Sequence, residues 1–181
     1  HITMGQFHSD GDGHPAFNWS VGNNWSVGDK GYELSRRTAC NLPRYKKFRK
    51  KETSNCSLSW PSNKIQTVIQ PKDLLGQWHD MVLNAKWSVK QKGFFKMWVN
   101  GKLLYHFVGR TVVPKDGTMF KFGIYRGKVY SGDGEGTHIV YYDEIRYAKK
   151  SCKKLKLEDL GYNCKDLESQ TVSRIDKIKG K

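Results

Sequence analysis

No stretch of this chain is apolar for long enough to cross a bilayer as a helix, and its acids are scarce, with 17 Asp and Glu against 32 Lys and Arg. The first absence excludes a helical membrane protein. No cysteine pair has the Cys-x-x-Cys spacing of a zinc knuckle, and no His sits at ligand spacing beside a cysteine. No paired-acid strand motif such as Glu-x-Asp-x-x-Glu is present, and glycoside hydrolysis, which needs two carboxylates in the cleft, therefore ranks low. Proline and methionine are sparse, at 5 and 4 residues, and the hydrophobic fraction is a low 37%.

Rings fill the gap. Aromatics make up 13% of the 181 residues, and they suit pleated, half-buried surfaces better than helices. With Gly at 18 and turn signals throughout, the pattern predicts many short strands in one all-β domain. The net charge of +15 favours a polyanion: nucleic acid, anionic lipid or an acidic glycan. Cys40, Cys56, Cys152 and Cys164 form two local pairs. Disulfides Cys40–Cys56 and Cys152–Cys164 are the natural reading, and they imply a secreted protein in an oxidising compartment. Sequons at Asn18, Asn24 and Asn55 agree with export. The paired cysteines and the lack of a recognition motif argue against nucleic acid. The opening His1-Ile2-Thr3-Met4 reads as a cloning remnant.

Along the chain, residues 5–9 read as a short strand, followed by a turn-rich stretch. Asn18-Trp19-Ser20-Val21-Gly22 is echoed by Asn24-Trp25-Ser26-Val27-Gly28, two strand ends around a turn. A basic loop with Arg44, Lys46, Lys47, Arg49, Lys50 and Lys51 lies between Cys40 and Cys56. It is as readily a solvated loop as a ligand clamp. Trp78 to Ser88 predicts a strand with Met81, Leu83, Ala85 and Trp87 on one face. Asn100-Gly101 favours a type I′ hairpin turn between Phe94–Val99 and Lys102–Phe107. Two further aromatic strands are expected at Phe120–Arg126 and His138–Tyr147. The glycine-rich loop between them carries Asp133 and Glu135; Ca²⁺ is a possible ligand there, but two carboxylates suit a plain mobile loop better. The domain is expected over 1–148, with a Lys-rich, Cys-tied extension over 149–181 that ends in a frayed tail from about Ser169.

Several of these segments, in this order, resemble a known family. They are Gly-Gln-Phe-His (5–8), Gly-Gln-Trp-His-Asp (76–80), Lys-Trp-Ser (86–88), Trp-Val-Asn-Gly-Lys (98–102), Phe-Lys-Phe-Gly-Ile-Tyr-Arg (120–126) and Tyr-Tyr-Asp-Glu-Ile-Arg (141–146). Together they resemble the polysaccharide lyases of the heparin lyase I and glucuronan lyase type. The resemblance implies a concanavalin-like β-jelly roll, a sandwich of two curved antiparallel sheets. Members of that family carry further N-terminal strands, and this chain is expected to begin almost at the strand that bears Gln6 and His8. The resemblance places a catalytic His at His8, and a Lys and a Tyr at Lys121 and Tyr125. The family's N-terminal polar residue finds no match, with Gln6 as a substitute.

Such a lyase cleaves a uronate polymer by β-elimination. The C5 proton is weakly acidic until the neighbouring carboxylate is neutralised, after which a base removes it and an acid protonates the leaving oxygen. No metal or organic cofactor is required. Period-two alternation puts Lys121, Gly123 and Tyr125 on one face and Phe120, Phe122 and Ile124 on the other. In a regular strand Lys121 and Tyr125 stand roughly 13 Å apart, so Tyr125 is assigned the proton transfer and Lys121 an anionic group a sugar or two away. Gln6 and His8 share a face, and His8 suits a base or a carboxylate neutraliser. Arg126, Lys96, Arg44 and Lys47 are further candidates for substrate contact. His79 reads as structural, beside a packed Trp78, and Trp87 and Trp98 read as core. The expected function is a monomeric, secreted lyase on an acidic polysaccharide. The alternative is a non-catalytic binding domain for acidic glycans.

Overall fold

A computed structural model of the protein describes residues 2–9, 16–21, 32–36, 65–90, 92–109, 111–112, 117–126, 137–172 and 176–177. The strands are β1 (Ile2–Ser9), β2 (Phe17–Val21), β3 (Tyr32–Arg36), β4 (Ile65–Ile69), β5 (Met81–Lys86), β6 (Gly93–Val99), β7 (Lys102–Gly109), β8 (Thr118–Arg126) and β9 (Asp176–Lys177). They form two sheets, ordered β4-β3-β2-β1-β8 and β5-β6-β7-β9. Neighbours run antiparallel except β7 and the two-residue β9. The all-β sandwich expected from the sequence is the observed one.

Alternation builds the core. On β2, Phe17, Trp19 and Val21 are buried in one cluster with Phe95, Met97 and Val99 of β6 and Tyr105 and Phe107 of β7. Each fully buried ring contributes about 2–3 kcal/mol by leaving water. Met81, Leu83, Ala85 and Trp87 pack against this cluster from one face, as the alternation predicts. The hairpin also holds: Asn100 and Gly101 take φ of 49° and 75°, the positive pair a type I′ turn needs, with Val99 opposite Lys102.

A second cluster lies on the outer side of the β5–β7 sheet, where Trp98 and Leu103 meet Leu157 and Leu167 of the C-terminal extension. The extension consists of two 3₁₀ turns, Cys152–Leu155 and Leu157–Leu160, and one short helix, α1 (Cys164–Ser169). Asn163 caps α1 by accepting from the Lys165 and Asp166 amides. The Cys152–Cys164 disulfide closes the unit, with Cα atoms 6.0 Å apart. Trp98 Nε1 donates to Leu167 O at 3.0 Å.

Four expectations are corrected. Ile2 and Met4 are core residues, 9% and 8% exposed, so the opening residues belong to the fold. His138–Tyr147 is not a strand: Glu144 takes a left-handed φ of 51° and its amide turns onto the Asp143 carboxylate, which breaks an extended run. Val140 of this segment packs on the main core instead. Trp78 is not packed in a strand; β5 starts at Met81, and Trp78 is 66% exposed beside Tyr141. The stretch after Ser169 is not a frayed tail at its start, because Gln170 donates to Gly101 O and accepts from the Leu103 amide. Part of the expected Asn-Trp-Ser-Val repeat, the basic loop, the Cys40–Cys56 pair and the loop with Asp133 and Glu135 lie outside the described residues.

Candidate active face

The outer face of the β1–β2–β8 sheet is read from its register, because directly paired residues share a face. Phe17, Phe7 and Phe120 are paired across β2, β1 and β8, and Phe7 packs on the core with Phe120 at 5.2 Å. The neighbouring positions therefore face outward. Asn18 pairs with Gln6, and Gln6 with Lys121. Ser20 pairs with Thr3, and Thr3 with Tyr125. His8 lies opposite Met119. The sheet thus presents two polar rows, Asn18–Gln6–Lys121 and Ser20–Thr3–Tyr125, with His8 beyond the first.

The rows are enclosed at one end and open at the other. Thr3, Asn18 and Ser20 are buried, Gln6 and His8 are half-buried, and Lys121 is exposed. Tyr125 is 66% exposed.

The spacing between the rows is irregular. It is two residues on β2 (Ser20 to Asn18), three on β1 (Thr3 to Gln6) and four on β8 (Tyr125 to Lys121). Both pairings shift register between Thr3 and Gly5, so the surplus residues are taken up as bulges. Two residues of strand span about 7 Å and four about 13 Å. The bulges therefore bring Tyr125 nearer to Lys121 than a regular strand allows. Gly123 sits at the bulge with φ of 126°, a conformation L side chains rarely adopt, while a Cβ there would meet nothing within 4 Å. Backbone shape, not space, demands the glycine. Gly5 is the opposite case, since a Cβ would lie 2.3 Å from the Trp19 ring.

Tyr142 reaches this bulge from the 137–147 segment, its hydroxyl donating to Met4 O at 2.9 Å. Burial pushes its pKa above the ordinary tyrosine value, and the Gly123 amide works the other way. At the far side of the molecule the Tyr162 hydroxyl donates to Asp80 Oδ2 at 2.6 Å. That bond, with burial and the carboxylate's charge, pushes Tyr162 up to about 12.

Gln6 and His8 share a face of β1, and Lys121 and Tyr125 a face of β8, as alternation predicts, and the register between the strands puts the four on one side of the sheet. His8 and Tyr125 do not adjoin, because His8 lies five positions along β1 from Thr3, the residue opposite Tyr125, roughly 17 Å at regular rise. Arg126 is exposed at the end of β8, opposite Ile2. Lys96 stands apart, on the other sheet, where its Nζ meets Glu168 Oε2 at 2.5 Å. Arg44 and Lys47 lie outside the described residues. His79 bonds through its ring to Leu74 O and Asn100, a structural setting. Trp98 is 1% exposed and Trp87 packs on the main core. No group of His, Cys, Asp and Glu suited to a metal ion occurs among the described residues. Sequence reading missed Thr3, Asn18 and Ser20, although the alternation of β2 announces two of them. It also missed Tyr142, for which no local signal exists.

The fold and this face define a β-sandwich with a polar outer surface edged by cationic residues. Residues 1–146 match the family model described as polysaccharide lyase, and the chain belongs to the polysaccharide lyase family. No curated protein and no solved structure matches it.

Proposed function

We propose that the protein cleaves a uronate-containing acidic polysaccharide by β-elimination, with Tyr125 as the proton-transfer group. The observation that carries this reading is the register that sets Tyr125, Lys121, Gln6 and His8, from two strands far apart in sequence, on one outward face. Tyr125 as phenolate takes the C5 proton. The electron pair forms the C4–C5 double bond as the C4–O bond breaks, and the leaving oxygen takes a proton back from Tyr125. Lys121 and Gln6, in the row next to that of Tyr125, and His8 beyond them hold anionic groups of the polymer. The reaction needs no metal or organic cofactor. The net charge of +15 suits a polyanionic substrate, and the disulfide suits secretion.

The test is incubation with a panel of acidic polysaccharides while following the ultraviolet absorbance of the unsaturated uronate product. A rise with one polymer, abolished by Tyr125→Phe, is the expected result. A flat trace across the panel with salt-sensitive binding retained leaves a glycan-binding domain instead.

A further inference from the structure

The bulge between the two polar rows has a partner outside the sheet. On β1 the ladder slips between Thr3 and Gly5, and on β8 the same slip leaves Gly123 and Ile124 against the single residue Met4. Bulged residues lose regular ladder hydrogen bonds and need other partners. One side chain serves both strands there. The Tyr142 hydroxyl donates to Met4 O of β1 at 2.9 Å. The Tyr142 ring packs on Phe122, centroids 5.5 Å apart, so it is held beside β8 as well as bonded across it.

We propose that Tyr142 is a positioning residue: it pins the β1–β8 bulge and so fixes which face Tyr125 presents and how far it stands from Lys121. The inference rests on Tyr125 being the proton-transfer group. A strand that slips by one residue turns every following side chain to the opposite face. Among the described residues β8 is the last strand of its sheet, with no second neighbour there to hold its register. Without the pin, the segment from Gly123 onward can shorten or lengthen its bulge, and Tyr125 then turns away from the row it shares with Thr3 and Ser20. The side chains that hold the polymer, Lys121, Gln6 and His8, lie on the other side of the bulge and keep their places. Loss of the pin therefore separates catalysis from binding.

Tyr142→Phe keeps the ring and removes the hydroxyl. Amide hydrogen exchange at Gly123, Ile124 and Tyr125 is expected to speed up about tenfold, as the loss of one such bond implies, with β6 and β7 amides unchanged. On the polymer that the wild type cleaves, kcat is expected to fall about tenfold or more with KM nearly constant. In a Tyr125→Phe background the same change is expected to lower kcat no further. Unchanged exchange at the bulge overturns the proposal, as does a uniform rise across both sheets or equal damage to kcat and KM. A wild type with no elimination activity, or a fully active Tyr125→Phe variant, sinks the catalytic reading itself. The exchange data then still decide whether the hydroxyl pins the bulge.

Discussion

Phe17 of β2 lies flat on Phe95 of β6, ring centroids 4.0 Å apart and planes 10° from parallel. The pair joins the two sheets at the centre of the core, and both rings are at most 1% exposed. Truncating either leaves a cavity that a sandwich clamped from both sides closes poorly. Phe95→Ala is expected to cost about 3–5 kcal/mol, read as a lower urea midpoint with an unchanged slope.

Gly123→Ala probes backbone shape alone, because no atom lies within 4 Å of the added methyl. Its φ of 126° makes any L side chain strained, at about 1–3 kcal/mol. Calorimetry should show a lower melting temperature, and activity should fall further than that loss of folded protein explains. An alanine variant as stable as wild type would show that the bulge relaxes freely.

Tyr162 gives a pH signature. Its value is raised from 10.0 to about 12, so the folded state holds the proton more tightly than the unfolded chain. The stabilisation is present in full below pH 10 and is lost as pH rises through 12. Tyr162→Phe should lower the melting temperature by a few degrees below pH 10, as expected for a bond worth about 1 kcal/mol. The gap between variant and wild type should close between pH 10 and 12. A gap that stays constant across that window would assign the loss to packing at Gly101, whose Cβ position lies 2.8 Å from the Tyr162 ring.

The disulfide secures the extension on Trp98. Replacing Cys152 and Cys164 by Ser opens a loop of sequence separation 12 and should cost about 2–3 kcal/mol. Unfolding monitored with and without a reductant measures it. Reduction of the wild type should cost at least as much as the double variant, since a reductant also opens the expected Cys40–Cys56 bridge.

Binding residues and the proton-transfer residue should separate in kinetics. Lys121→Ala and His8→Ala are expected to raise KM several-fold with smaller effects on kcat, whereas Tyr125→Phe removes kcat by at least about a hundredfold. If His8→Ala abolishes turnover and Tyr125→Phe does not, the proton transfer belongs to His8.

Legibility followed range. The face of β5 with Met81, Leu83 and Ala85, and the Asn100-Gly101 hairpin, were readable because period-two alternation and positive-φ preferences are properties of neighbouring residues. The shared face of Lys121 and Tyr125 was readable for the same reason. The His138–Tyr147 segment misled, since aromatic content marks half-buried surface without naming its partner. Its extended run ends at Glu144, whose left-handed backbone has no signal in composition. The burial of Ile2 and Met4 was equally unreadable, because it depends on β2 and β8 closing on either side of β1.

The sequence by itself determined an all-β sandwich, the hairpin, a net positive charge suited to polyanions, and an extension tied at Cys152 and Cys164. Each is fixed by local geometry, composition or a short covalent loop. Only the tertiary structure decided that Lys96 is held by Glu168 on the other sheet, that His8 stands well away from Tyr125, and that Tyr142 returns across 138 residues to Met4. Register between strands is set by how two sheets fill one core, and no single strand carries that information.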